Sequence, residues 1–264
     1  MGLIFNKDIA ATYQAWHRSH PARLIDRSLE KLIFRLVDPN PGERVLDIGC
    51  GSGNHLLMLS KMGLNVSGID ASSHMISLAR ERLGRKCLLN TCRAEDLPFD
   101  DNEFDLAVLI NTVEFLDDPV QVLREAGRVT RKKIFIGVLN SLSWNGFLKK
   151  IQGVFGNQVF GQAKFYNLWQ IKALVKEAYG DMPISWACIR MTPSCVTQGE
   201  TDSIPFWQWE HSPFGFFLGI TVTIRYMLRT ESFPLKLGLE KASKHLVGIE
   251  TFEDLVIRRK HSQR

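Results

Sequence analysis

Arg44-Val45-Leu46-Asp47-Ile48-Gly49-Cys50-Gly51-Ser52-Gly53-Asn54 is the stretch whose reading decides the fold. Val45, Leu46 and Ile48 make an apolar run too short for a helix, and the glycines behind it are free to take positive φ and leave no Cβ in a ligand's way. Leu56, Leu57, Leu59 and Met62 follow at near-helical spacing, so the loop opens into a helix whose first N–H groups point back at it. A second apolar segment, residues 65–69, ends in Asp70, where a carboxylate can accept both hydroxyls of a ribose. Strand, glycine loop, helix and second-strand acid together describe a nucleoside site.

The glycine spacing separates two kinds of nucleoside ligand. A dinucleotide fingerprint reads Gly-x-Gly-x-x-Gly. Here Gly49, Gly51 and Gly53 alternate, Asn54 stands where the last glycine would be, and Asp47 precedes the first. An anion there is poorly placed for a pyrophosphate and well placed for an amino group or a sulfonium. The run Asp47-Ile48-Gly49-Cys50-Gly51-Ser52-Gly53 resembles the S-adenosylmethionine loop of the class I methyltransferases, which reads Asp-x-Gly-x-Gly-x-Gly.

The resemblance extends over about Tyr13 to Tyr226 and is nearest to the type 11 group related to quinone-biosynthesis C-methyltransferases. It implies a Rossmann-like α/β three-layer sandwich, with a seven-stranded, mostly parallel sheet whose last strand is reversed. It also implies contacts to S-adenosylmethionine from Asp47, Gly49, Cys50, Gly51, Gly53, Asp70, Ala71, Ser72 and Met75. For Met75, packing in the core competes with a contact to the purine. In Arg93-Ala94-Glu95-Asp96 the family's usual Asp before the Ala is replaced by Arg93, so Ala94 and Glu95 are carried over mainly for backbone contacts and Asp96 as a substitute acceptor for the adenine amino group.

Phe104-Asp105-Leu106-Ala107-Val108-Leu109-Ile110 reads as a strand buried on both faces. The resemblance makes this the fourth strand, whose carboxyl end borders the methyl donor, and so implies Asn111 beside the methionine part of the cofactor and Glu114 toward an acceptor; ligands of open α/β sheets sit at such strand ends, near the point where strand order reverses. A solvated carboxylate ahead of Asp117-Asp118-Pro119 is the simpler account of Glu114. Pro119 starts a helix, residues 133–139 read as a fifth strand, and Val129 to Lys133 as the surface turn between them. A helix follows from Phe165 to Tyr179, then a sixth strand over 184–191 and a seventh over 216–226, which the resemblance implies are paired as an antiparallel hairpin.

Residues 1–230 are assigned to the methyltransferase domain, with an N-terminal lid over about 1–23 and variable inserts over about 140–165 and 192–213; residues 231–264 form a C-terminal helical addition. Tyr13 and Trp16 fit a lid and simple surface packing equally well. Transfer of an already activated methyl group needs mainly positioning, which makes a dedicated base optional. Where an acceptor hydroxyl must lose a proton, His17, Tyr13 and Glu114 are the candidates.

Composition sets the outer bounds. The chain has 264 residues, 45% hydrophobic and 23% charged, enough for one large α/β domain with a real core. No apolar run reaches the ~20 residues of a bilayer span, and no secretory pattern opens the chain. Five cysteines (Cys50, Cys87, Cys92, Cys188, Cys195) lie far apart without a C-x-x-C pair, which predicts reduced thiols, a cytoplasmic setting and no metal site. The net charge of +5 is concentrated in the tail after Ile257, which leaves peripheral membrane contact through the C-terminal addition open and gives no strong nucleic-acid signal. The resulting expectation is methyl transfer from S-adenosylmethionine to a small-molecule acceptor, aromatic or lipophilic. The alternatives are an RNA or protein methyltransferase and a non-catalytic S-adenosylmethionine-binding regulatory protein.

Overall fold

The structure is a computed structural model describing residues 4–7, 9–11, 20–84, 87–142, 163–189 and 212–224. In chain order its elements are α1 (His20–Val37), β1 (Arg44–Ile48), α2 (Asn54–Lys61), β2 (Asn65–Asp70), α3 (Ser73–Leu83), β3 (Leu88–Thr91) and β4 (Phe104–Ile110). They continue through α4 (Pro119–Val129), β5 (Thr130–Leu139), α5 (Leu168–Tyr179), β6 (Ile184–Ile189) and β7 (Phe217–Thr223). The strands form one seven-stranded sheet in the order β3-β2-β1-β4-β5-β7-β6. β1 to β5 run parallel, and β7 is antiparallel to both β5 and β6.

The expected architecture is therefore present, reversed strand included. β4 is buried at all seven positions, as a strand covered on both faces requires. Leu46, Ile48, Ala107, Leu109, Ile134 and Ile136 share one core with Val122, Leu123 and Ala126 of α4 and Ile171 and Val175 of α5. The opposite face joins Val45, Leu106, Val108 and Phe135 to Leu29, Leu32 and Ile33 of α1, Leu56 and Leu59 of α2, and Ile76 and Ala79 of α3. Three layers result.

The helix ends follow local chemistry. Ser72 caps α3 by accepting from Met75 N, and Asp118 caps α4 by accepting from Gln121 N with Pro119 at the first position. Asn167 and Gln170 form a reciprocal capping box at α5. That box starts α5 at Leu168 and leaves Phe165 to Asn167 extended, with Tyr166 forming a parallel bridge to Asn140.

Val129 to Lys133 is not a surface turn: α4 runs to Val129 and β5 begins at Thr130, paired with Phe104 across an irregularity. The charged residues fit a strand because they have fixed partners: Arg131 pairs with Asp105, and Lys132 with Glu43 and Asp105. Among the described residues no helix is long and apolar enough to cross a membrane.

Candidate functional site

The chain crosses from the β1-β2-β3 side of the sheet to β4 and β5, so the order reverses between β1 and β4. Gly49, Gly51 and Gly53 all have positive φ, at 78°, 53° and 78°. A Cβ on Gly49 would lie 2.5 Å from Thr112 Cγ2, and one on Gly53 would lie 2.9 Å from Leu83 Cδ1. Gly49 is thus needed for packing behind the loop as well as for its turn, whereas at Gly53 the positive φ is the stronger demand, since the end of the Leu83 side chain can shift. Gly49 N and Cys50 N both donate to Ile69 O at 2.8 Å, which ties the loop to the end of β2. Gly53 caps α2 in the left-handed region without a side-chain bond, leaving the first N–H groups of the helix open to an anionic group.

Two carboxylates lie beside this loop. Asp70 accepts from Gly51 N at 2.9 Å and from Ser72 N at 2.8 Å, one bond per oxygen, so each oxygen keeps a lone pair for a ligand hydroxyl. Burial nevertheless holds its pKa above the usual value, against the pull of those two bonds. Asp47 is fully buried, and neither of its oxygens has a hydrogen-bond partner among the described residues. Its pKa is pushed up to about 8, first by burial and then by the charge of Asp70. A buried, unbonded carboxylate is costly unless something cationic completes it.

More unsatisfied polar atoms surround the loop. Ser52 Oγ, Asn54 Nδ2 and Asn111 Oδ1 are buried without partners among the described residues. Asn111 holds φ at 52°, a left-handed conformation fixed by its N–H bond to Gly137 O at 2.8 Å. Thr112 Oγ1 donates to Ile48 O at 3.0 Å and so joins the ends of β1 and β4.

The rest of the mouth is formed by segments distant in sequence. Ser72 Oγ donates to Phe5 O at 2.7 Å, and the Phe5 ring meets Phe115 edge-on at 5.4 Å, so the N-terminal segment ties the end of β2 to the turn after β4. Ala71 is exposed and Met75 is 1% exposed. Ala94 is buried, Glu95 pairs with Arg93, and Asp96 is exposed. Cys50 is buried against the Leu56 side of the sheet, leaving its backbone to the site.

Glu114 departs from the simpler expectation. It is 2% exposed rather than solvated, its Oε1 accepts from Leu139 N at 2.8 Å, and its Oε2 has no partner among the described residues. Burial pushes its pKa up to about 7. Tyr13 and His17, with Trp16, lie outside the described residues, as do most of the two inserts and all of residues 231–264.

Comparison with known proteins bears on the same residues. The family model described as a methyltransferase domain (Methyltransf_11) matches residues 46–136, from β1 through the loop, Asp70, Asn111 and Glu114 to β5. An uncharacterised protein of Methanocaldococcus jannaschii is 31% identical over 179 residues, spanning 66% of this chain and 79% of that one. The chain belongs to the class I S-adenosylmethionine-dependent methyltransferases. A demethylmenaquinone methyltransferase of Tropheryma whipplei is 32% identical over 114 residues, 40% of this chain and 48% of that protein. Among solved structures, a protein of Thermotoga maritima titled an SAM-dependent methyltransferase and possible histamine N-methyltransferase superposes with a TM-score of 0.61 at 24% identity, over 81% of this chain and 94% of that one. That likeness concerns the fold. The chain spans between 27% and 79% of the length of eight curated relatives that it matches.

The residues present fit the cofactor of this methyltransferase family. Asp47 and Asn111 Oδ1 offer acceptors for an ammonium, while Ser52 Oγ, Asn54 Nδ2 and the α2 terminus offer donors for a carboxylate, which matches the two ends of an amino-acid tail. Ser52, Asn54, Phe5 and Phe115 join the residues expected from the sequence. Ser52 and Asn54 lie inside the loop, and their residue types carried the signal; the Phe5 contacts are long-range and left none.

Proposed function

We propose that the protein transfers a methyl group from S-adenosylmethionine to a small-molecule acceptor. The observation that carries the reading is Asp47: a carboxylate buried completely, unbonded at both oxygens among the described residues, beneath a glycine loop at the sheet's reversal point. When bound, the cofactor supplies a methyl group already activated on a sulfonium.

The chain's residues bind and orient. Asp47 and Asn111 hold a cationic amino group, Ser52, Asn54 and the α2 N-terminus a carboxylate, and Asp70 the ribose hydroxyls. Ala71, Ser72, Met75, Ala94, Glu95 and Asp96 border the adenine, with the Phe5 strap closing over that side. Burial of the site excludes water and strengthens each electrostatic contact. Positioning of this kind is worth effective molarities up to ~10⁵–10⁸ M.

A small acceptor is supported by the relative named for a demethylated quinone and by the aromatic setting of Phe115 and Tyr166 at the β4 and β5 ends. The free thiols of Cys50, Cys87, Cys92 and Cys188 accord with a cytoplasmic setting. The test is incubation with methyl-labelled donor and a fractionated cell extract. Label appearing in the low-mass fraction is expected; label confined to RNA or protein overturns the small-molecule assignment.

A further inference from the structure

Beyond the cofactor residues, one pair of buried polar groups is left unused. Glu114 Oε2 and Tyr166 Oη are both buried without a hydrogen-bond partner among the described residues, and each residue is 2% exposed. They belong together electrostatically, because the Tyr166 hydroxyl is pushed up by burial and then by the charge of Glu114. Yet they do not bond to each other. Two unsatisfied groups within electrostatic reach, and not joined, call for a third polar atom between them.

Both groups are held by rigid structure. Glu114 Oε1 is tied to Leu139 N, and Glu114 O accepts from Lys164 N at 2.8 Å. Tyr166 bridges Asn140, its carbonyl accepts from Ser141 N at 3.1 Å, and Lys164 Nζ lies 5.4 Å over its ring. Asn140 is itself fixed, its Nδ2 donating to Pro213 O and Gly215 O. The pair therefore sits at the ends of β4 and β5, across the reversal point from Asp70.

We propose that Glu114 and Tyr166 form the acceptor site and select a phenolic or enolic hydroxyl for O-methylation, the hydroxyl donating to Glu114 Oε2 and accepting from Tyr166 Oη. This deepens the proposed methyl transfer and rests on it. A hydroxyl is the group that donates once and accepts at the same atom, which is what the two partners demand. In the step, the acceptor oxygen forms the bond to the methyl carbon as the sulfur–carbon bond breaks. The sulfonium becomes a neutral thioether, and the hydroxyl proton passes to Glu114 Oε2. A carboxyl with its pKa near 7 takes a proton from a phenol far more readily than from an aliphatic alcohol, which favours the acidic hydroxyl class.

The experiment compares wild type with Glu114→Gln, which keeps an acceptor for Leu139 N, and Tyr166→Phe. Calorimetry with S-adenosylmethionine comes first: affinity within about twofold for all three proteins keeps the cofactor reading apart from this one. Failure of the wild type to bind it would sink the methyltransferase reading itself. With the demethylated cofactor present, 4-nitrophenol serves as a spectroscopic probe. In wild type its ionisation midpoint rises on binding, because a second anion beside Glu114 is disfavoured, and in Glu114→Gln it returns toward that of the free probe.

With labelled donor and matched sets of simple phenols, enols and amines, wild type methylates the hydroxyl compounds. Glu114→Gln lowers kcat by about 10²–10⁴-fold, and Tyr166→Phe acts mainly on KM. Cofactor binding without methylation of any hydroxyl compound, preference for the amines, an unmoved probe midpoint, or loss of cofactor binding in Glu114→Gln would each overturn the assignment.

Discussion

Asp47 and Asp70 leave adjacent strands on one face of the sheet, and the charge of Asp70 raises the pKa of Asp47 above the effect of burial. The two differ in what completes them. Asp70 has two backbone N–H donors; Asp47 has none among the described residues. An acid that holds its proton up to about pH 8 and gives it up to a cation makes cofactor binding proton-linked. At pH 7, binding should release close to one proton, and affinity should rise by up to about tenfold per pH unit below the pKa. Calorimetry in buffers of different ionisation enthalpy measures the release, and Asp47→Asn should abolish its Asp47 part. Equal proton release in the variant would assign the linkage elsewhere.

The same groups set the pH dependence of stability. The pKa values of Asp47 and Glu114, about 8 and about 7, are raised from 3.8 and 4.5, so their contribution to stability is complete below the unfolded values and is lost as pH rises through the folded ones. Glu125 is held low by the Arg128 guanidinium, and Asp105 is held low, against burial, by Arg44 N–H, Lys132 and Arg131. These act in the opposite sense, present above the usual carboxylate range and lost as pH falls. The ligand-free protein should therefore have its highest Tm in mildly acidic buffer and lose stability between about pH 5 and pH 8. Thermal unfolding across that range, with and without cofactor, checks the sign; a Tm rising steadily to pH 8 without ligand contradicts it.

Gly49→Ala should be damaging for two separate reasons. Its φ of 78° strains any other residue, and the added methyl would meet Thr112 Cγ2 at 2.5 Å, pressing on the side chain that joins β1 to β4. A loss of about 1–3 kcal/mol from the backbone alone is expected. Gly42→Ala is the control: φ is 86° there, but no atom lies within 4 Å of the new Cβ. Denaturant unfolding should show Gly49→Ala as the worse of the two, with loss of cofactor binding; equal effects would mean that the Thr112 contact adds nothing.

The Phe5 strap should act on cofactor release more than on folding. Phe5→Ala removes the ring against Phe115 while leaving its carbonyl to accept from Ser72. Dissociation of bound cofactor, followed by stopped-flow displacement, should accelerate several-fold, on the order of the ~0.5–1.5 kcal/mol of an aromatic pair. An unchanged rate would make the contact a packing detail.

Legibility in the sequence followed the range of the interactions. The loop and Asp70 were readable because strand, turn and cap chemistry are local, and strand β4 because every side chain in Phe104 to Ile110 is buried. Glu114 resembled a solvent-facing acid because it precedes Asp117 and Asp118; its burial depends on Leu139 N, reached through β5. Thr130 to Lys133 reads as a turn since Arg131 and Lys132 are charged, and their partners are far away in sequence, Asp105 in β4 and Glu43 just ahead of β1. Tyr166 reads as part of a helix, because its bridge to Asn140 joins segments on either side of an insert. Periodicity cannot register contacts of that range.

The most direct measurement is calorimetric titration of S-adenosylmethionine and its demethylated product into wild type, Asp47→Asn and Asp70→Ala, with a nicotinamide dinucleotide as control. Both methyl-cycle ligands should bind wild type and the dinucleotide should not. Asp47→Asn should lose about 10–100-fold, the worth of a hydrogen bond to a charged group. Asp70→Ala should lose more, because Gly51 N and Ser72 N also lose their acceptor. Undiminished affinity in Asp47→Asn, or dinucleotide binding by well-folded wild type, would contradict the account.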